Sequence, residues 1–200
     1  MPKISEERKA ERIEQILAGA RRCFAEHGYD GATVARLEEA IGLSRGAIFN
    51  YFGSKEDLFL ELAWRDNERL VRLWIEKGWE ETLREIVRED PDWMGVYLEL
   101  SRKERTDPEF RARHASRSRE ELGPMLVEHV RRAQERGELR SDLAPEKLAG
   151  FVSLVANGVA AQTGSGEPIR DVDTLVELVR AAIEPATGRA RSDTPSRTRA

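Results

Sequence analysis

The chain has 200 residues, of which 40% are apolar and 35% are charged, and its formal net charge at pH 7 is −4. This acidic balance argues against a protein that coats nucleic acid non-specifically, and no stretch approaches the roughly 18 uncharged apolar residues of a membrane span. Because the N-terminal segment has no signal-peptide core, we expect a cytoplasmic protein without a membrane partner.

The first predicted element is a helix from Glu7 to His27. Its apolar residues recur along one face at helical spacing, and Gly28 is a typical helix stop. We expect this helix to brace the two short helices that follow it.

Two short helices joined by a tight turn come next. Thr33 can N-cap the first, Val34–Ile41, which ends at Gly42, and Ser44 can N-cap the second, Arg45–Phe52. Two helices across such a turn form a helix-turn-helix, whose second helix can enter the major groove of DNA. The same spacing also occurs in helical proteins that do not bind DNA. Glu/Lys pairs would be more natural on the outward face of a purely structural helix, however, than the arginine, small, amide and phenol side chains found here.

A long helix over 55–77, capped by Ser54, is predicted to link this unit to the rest of the chain. A helix of about 20 residues spans about 30 Å, which is long enough to be shared by two domains. The remaining predicted helices cover 79–89, 92–105, 108–119, 120–136, 145–162 and 171–184.

These elements predict an all-α fold made of two domains and a tail. The N-terminal three-helix domain, 7–54, contains the helix-turn-helix and would bind DNA. A larger C-terminal helical domain, 55–185, would bind an effector and mediate dimerisation. The segment 186–200 is rich in Arg, Ser, Thr and Pro, and we expect it to be disordered.

Several motifs resemble the tetracycline-repressor (TetR) family, and their order and spacing agree with it. They are Ala25–Tyr29 (AEHGY), Ala32–Val34 (ATV), Gly42–Phe52 (GLSRGAIFNYF) and Ser54–Phe59 (SKEDLF). A second and looser set is similar to the actinobacterial aconitase-repressor subgroup: Asp92–Met94 (DWM), Leu98–Leu100 (LEL) and Arg105–Arg111 (RTDPEFR). The resemblance implies a homodimeric repressor that binds a palindromic operator and releases it when a small-molecule effector binds.

Four residues of the second short helix are candidates for contacts to base edges. Arg45 is the best candidate for guanine, because its forked donors match O6 and N7. Asn50 could read adenine or contact a phosphate, and the family more often has His or Tyr near this position. Gly46 and Ala47 would allow close approach to the bases.

Phosphate contacts are expected from a different set of residues. Thr33 and Ser44 lie at helix N-termini, where a hydroxyl and backbone amides can hold an anion. Arg36, on the first helix of the motif, is expected to cross a DNA strand. The resemblance to the TetR family implies phosphate contacts for Tyr51 and Lys55.

The last two predicted helices are apolar over more than one face, which requires more partner surface than one small domain offers. We therefore predict a two-fold interface between protomers, with a packed monomer core as the alternative. The predicted interface residues are Phe151, Val155, Val159, Leu175, Val179 and Ile183.

An effector pocket is predicted from aromatic and polar residues on otherwise apolar helices. These residues are Trp64, Trp93, Tyr97, Glu99, Arg102 and Asn157. The aconitase-repressor resemblance suggests citrate, with a divalent cation, as one candidate effector. Arg180, however, occupies a place where such a metal would want a carboxylate, so no metal site is predicted.

No catalytic constellation is recognisable in the sequence. The three histidines are scattered, and HExxH, GxSxG, P-loop and zinc-site spacings do not occur. We therefore predict no enzymatic activity and no cofactor. The alternative to a DNA-binding regulator is a helical module that binds a small molecule or a protein without binding DNA.

Overall fold

A computed structural model describes residues 6–117, 121–167 and 169–185, with the side chains of Tyr97 and of residues 114–117 outside the description. Within these ranges the chain forms ten α-helices and no strand, so the predicted all-α fold is confirmed. The helices are α1 Glu6–Gly31, α2 Val34–Ile41, α3 Arg45–Phe52, α4 Lys55–Lys77, α5 Trp79–Arg88, α6 Pro91–Thr106, α7 Pro108–Arg117, α8 Gly123–Glu135, α9 Pro145–Gly164 and α10 Val172–Ile183. The tail predicted at 186–200 lies outside the described residues. Among the described helices, none is long and apolar enough to cross a membrane.

The helix ends near the predicted turn are set by short polar side chains. The hydroxyl of Thr33 accepts the Arg36 N–H at 3.4 Å, and the hydroxyl of Ser44 accepts the Ala47 N–H at 3.4 Å. At the start of α4, the Ser54 hydroxyl accepts the Asp57 N–H at 3.1 Å. Each bond satisfies a backbone donor that the helix itself cannot pair, so these boundaries follow directly from the sequence.

The first helix differs from its prediction near its C-terminal end. Helical geometry is interrupted at Gly28, where φ is 67° and ψ is 175°, and resumes for a short turn that ends at Gly31. The predicted stop therefore appears as a break within α1. A positive φ of this size favours glycine, because a Cβ would clash with the neighbouring backbone.

The N-terminal unit has one apolar core to which α1, α2, α3 and the start of α4 all contribute. Phe24 of α1, Leu37 of α2, Ile48 of α3 and Leu58 of α4 are completely buried in it. Close packing of α1 on α2 depends on Gly19, because a Cβ added there would lie 2.8 Å from the Cα of Ile41. The short helices are thus held by tertiary packing, as isolated helices of eight residues would not be stable in water.

The helix α6 packs against both α1 and α9, and thereby joins the two halves of the chain. Its residue Trp93 is almost completely buried. At the other contact, the Cα of Gly164, the last residue of α9, packs so closely on Met94 that an added Cβ would lie 2.7 Å from the Met94 carbonyl oxygen.

Three residues of the predicted dimer interface belong to the core of the protomer itself. Val159, Val179 and Ile183 are at most 4% exposed, so the protomer already covers them, and the prediction is corrected at these positions. Phe151 is exposed, whereas Val155 and Leu175 are half-buried. The apolar stripes on α9 and α10 are wide because each helix buries one face internally and still presents leucines to solvent.

Candidate DNA-binding site

The helix α3 presents a polar face to solvent above a buried apolar side chain. Arg45, Gly46 and Asn50 are exposed, and Ala47 is half-buried, whereas Ile48 is completely buried. All four predicted base-contacting residues therefore share the accessible side of one short helix. Their contacts to bases stay a prediction.

Backbone amides at the start of α3 are partly engaged within the protein. The Arg45 N–H donates to Glu38 Oε1 at 2.6 Å, and the Ala47 N–H donates to the Ser44 hydroxyl. Glu38 was not identified from the sequence, although an acidic residue suits the positive end of a helix dipole. This carboxylate ties α2 to α3, and it leaves fewer amides for a phosphate at Ser44 than the sequence suggested.

The predicted phosphate contacts surround α3. Thr33 is exposed at the start of α2, and the Arg36 guanidinium, also exposed, donates to the Gly31 carbonyl at 2.8 Å. Tyr51 is half-buried near the end of α3. These side chains and Ser44 thus lie on the two short helices or at their ends, which is where a DNA strand beside the recognition helix would run.

Lys55 is held against the end of α1. Its ammonium donates to the Tyr29 carbonyl at 2.8 Å and lies 4.4 Å from the centre of the Tyr29 ring. The pKa of Lys55 is lowered, chiefly by burial and also by the positive charge of Lys103, whereas nearby Asp30 has a smaller opposite effect. An ammonium has three donors, so the bond to Tyr29 positions Lys55 without using up its capacity to bind a phosphate.

Two residues predicted to line an effector pocket lie instead where α6 meets the N-terminal unit. Glu99 accepts the Tyr29 N–H at 2.5 Å. The indole N–H of Trp93 donates to Asp66 at 2.5 Å, and the Arg21 guanidinium lies 4.3 Å from the centre of the Trp93 ring. The face of α6 that carries these residues is turned towards α1, which helical spacing alone could not reveal.

One cavity of the larger domain lies between α4, α5, α8 and α9 and has a volume of about 320 Å³. Of the six predicted pocket residues, the described lining contains Asn157 alone. Trp64 lines a separate groove nearer the start of α4, Arg102 is exposed, and the side chain of Tyr97 is outside the described residues. The structure therefore does not bring the predicted set together.

The described lining of this cavity is apolar with a few neutral polar groups. Its hydrogen-bonding side chains are Asn67, Thr82, Ser153, Asn157 and the indole of Trp74. Among the described residues, no group of His, Cys, Asp and Glu is arranged to hold a metal ion. Citrate with a divalent cation thus remains a prediction from resemblance, for which the described lining supplies neither a cation nor a metal-binding carboxylate.

Comparison with known proteins matches both halves of the chain to regulatory proteins. Residues 16–62 match the tetR family of bacterial regulatory proteins, and residues 72–187 match the C-terminal domain of BetI-type transcriptional repressors. The HTH-type transcriptional repressor Rv1474c of Mycobacterium tuberculosis is 41% identical over 92% of this chain and 98% of its own length. The HTH-type transcriptional repressor AcnR of Corynebacterium glutamicum is 44% identical over 85% of this chain and 91% of its own.

Solved structures share the same architecture. GusR of Salmonella enterica superposes with a TM-score of 0.69 at 22% identity, covering 86% of this chain and 94% of that one. A cysteine mutant of the TetR-family regulator CifR, in complex with 26-bp double-stranded operator DNA, superposes with a TM-score of 0.61 at 26% identity. The two chains are covered to 84% and 95%, respectively.

Proposed function

The chain belongs to the tetR family of bacterial transcriptional repressors, and we propose that it acts as a homodimer whose two α3 helices read one near-palindromic operator. In this arrangement the recognition helices lie about one duplex turn, or about 34 Å, apart. Occupation of the operator blocks transcription. We assign the protein to the cytoplasm, where it meets its DNA, and give it no catalytic role.

The observation that carries this proposal is the exposed polar face of α3. A helix of eight residues is anchored by Ile48, which is completely buried, while Arg45 and Asn50 on its other side remain open to solvent. Capped helices on both sides fix its orientation. A rigid helix with an exposed arginine and amide has the shape and the donors that the major groove requires.

Support for the homodimer comes from exposed leucines on α9 and α10. Leu154 is 72% exposed and Leu178 is 65% exposed, although both side chains are large and apolar. Phe151, on α9, is also exposed. Large exposed apolar residues of this kind on the last two helices favour a surface that a second copy covers. The proposed interface keeps Phe151, Val155 and Leu175 and replaces the three core residues by Leu154 and Leu178.

The proposed effector site is the cavity between α4, α5, α8 and α9. Its lining joins α4, which continues directly from the DNA-binding unit, to the interior of the larger domain. An effector that binds more tightly to a dimer conformation whose recognition helices no longer fit the operator would favour that conformation, and the dimer would leave the DNA. The effector itself need not contact DNA to have this effect.

The test is a gel-shift titration with DNA from upstream of the protein's own gene, at several salt concentrations. We expect Arg45→Ala to relax the preference at one base pair by about 1–3 kcal/mol, because a bidentate contact to guanine is lost. Lys55→Ala should weaken binding to all sequences and lower the salt slope by about one, because one phosphate contact is lost.

Two control variants carry the same change of charge on helices of the larger domain. Arg132→Ala on α8 and Lys147→Ala on α9 alter exposed cations and should leave sequence preference and salt slope unchanged. If Arg45→Ala and Lys55→Ala behave like these controls, the assigned DNA-binding site is wrong. Complete absence of salt-dependent DNA binding would instead favour a module that does not bind DNA.

A further inference from the structure

The end of α1 is hydrogen-bonded to a carboxylate that comes from the other half of the chain. Glu99 on α6 accepts the N–H of Tyr29 at 2.5 Å, immediately after the break at Gly28. A Cβ added at Gly28 would lie well inside van der Waals distance of the Glu99 carboxylate. Glycine is therefore required at position 28 for two reasons, the positive φ and the close approach of Glu99.

Both backbone groups of Tyr29 are bound by side chains from other helices. Its N–H is held by Glu99, and its carbonyl accepts from Lys55 at the start of α4 at 2.8 Å. The ring of Tyr29 lies 4.4 Å from the Lys55 ammonium and 4.8 Å from that of Lys103 on α6. Lys103 also pairs with Glu56, the neighbour of Lys55, at 2.5 Å. Glu99 and Lys103, on one face of α6, thus contact both the end of α1 and the start of α4.

We propose that Glu99 is a positioning residue for DNA binding, which holds Tyr29 in place and through it the ammonium of Lys55. The proposal rests on the proposed function of Lys55 as a phosphate contact. A cation held at the right place before DNA arrives loses less conformational freedom on binding, so the affinity is higher. Glu99 achieves this without touching DNA and without lining the effector cavity.

The helix α6 also links the bond between Glu99 and Tyr29 to the cavity between α4, α5, α8 and α9. The helix α9 contributes Ser153 and Asn157 to the cavity lining and ends at Gly164, which packs directly on the backbone of Met94 and Gly95. Because there is no space for even one methyl group at Gly164, a displacement of the end of α9 towards α6 must displace α6 as well. A ligand that moves α9 would therefore change the bond between Glu99 and Tyr29.

The experiment measures operator affinity and its salt dependence for Glu99→Ala, with Glu109→Ala on α7 as the control. Both residues are exposed carboxylates, so each substitution removes one negative charge. We expect Glu99→Ala to bind about tenfold more weakly than the control, because the Lys55 ammonium is then no longer held in place before DNA binds. Its salt slope should fall by about one, and Glu99→Gln, which can still accept the Tyr29 N–H, should bind with intermediate affinity.

The decisive comparison is Glu99→Ala in a protein that already carries Lys55→Ala. If Glu99 acts through Lys55, the second substitution has little further effect on affinity, and helix content by circular dichroism stays unchanged. Equal affinities of Glu99→Ala and Glu109→Ala, or strictly additive losses in the double variant, would overturn the proposal while leaving the DNA-binding site intact. If Lys55→Ala alone has no effect, both the site assignment and the role of Glu99 fail.

Discussion

Asp66 offers the sharpest test of how the DNA-binding unit is attached to the larger domain. This carboxylate of α4 is only 8% exposed. It accepts two hydrogen bonds from the Arg21 guanidinium on α1, both at 2.8 Å, and one from the indole N–H of Trp93 on α6. A single side chain therefore joins α1, α4 and α6, and the substitution Asp66→Asn keeps its volume while removing its charge.

The expected cost follows from what Asp66→Asn leaves behind. Loss of one partner from a fully buried ion pair costs about 3–5 kcal/mol, because the other charge stays buried without compensation. The cost for Arg21 should be smaller, because its side chain is 30% accessible to solvent and it keeps a second ion pair with Glu89 at 2.9 Å. We therefore expect the free energy of unfolding to fall by about 2 kcal/mol, which corresponds to a fall in Tm of roughly 4–8 °C.

The assay is urea unfolding followed by circular dichroism, at equal protein concentrations because the dimer that we propose would add to stability in a concentration-dependent way. Asp173→Asn is the matched control: its side chain is 76% exposed and pairs with Arg84 at 2.5 Å, so its loss should cost less than about 1 kcal/mol. A double-mutant cycle with Arg21→Met should give a coupling energy of at least about 1 kcal/mol with Asp66→Asn. Equal stabilities of Asp66→Asn and Asp173→Asn, or a coupling energy near zero, would refute the reasoning.

Three further predictions concern assembly, packing and protonation. Leu178→Glu should dissociate the dimer in sedimentation velocity with little change in protomer stability, whereas Leu98→Glu, an exposed leucine on α6, should leave the dimer intact. Gly19→Ala should cost about 1–3 kcal/mol in chemical denaturation, because its Cβ meets the α2 backbone, whereas Gly150→Ala, in open space on α9, should stabilise the protein. Burial lowers the pKa of His129, and Arg136 lowers it further, so the folded state favours the neutral ring. Stability should be complete above the unfolded pKa of about 6.5 and decline as the pH falls through the lowered folded value, and His129→Gln should remove that part of the pH dependence.

The helix boundaries could be predicted because their determinants are local. Ser44 and Ser54 cap the helices that follow them, and Asp90, Asp107 and Asp171 do the same for α6, α7 and α10. Such hydrogen bonds join residues two or three positions apart, so the sequence alone contains both partners. The exposed face of α3 followed from the same kind of local periodicity.

The environment of α6 could not be predicted, because it depends on contacts between residues far apart in sequence. The spacing of Trp93, Glu99 and Arg102 suggested inward-facing groups, yet it did not specify which neighbour each would meet. The bond between Glu99 and Tyr29 spans 70 positions of the chain. Likewise, the apolar stripe that contains Val179 gave no sign of whether the partner was the same protomer or a second copy.

Guanine methylation interference on the operator tests the central claim most directly. Methylation of guanine N7 marks the major groove, where Arg45 is expected to bind O6 and N7. We predict that one guanine per half-site becomes intolerant of methylation, with the half-sites about one helical turn apart, and that Arg45→Ala relieves the interference at that guanine alone. Interference that is unchanged in Arg45→Ala, or the absence of interference at every guanine of the operator, would contradict the account of α3 as the recognition helix.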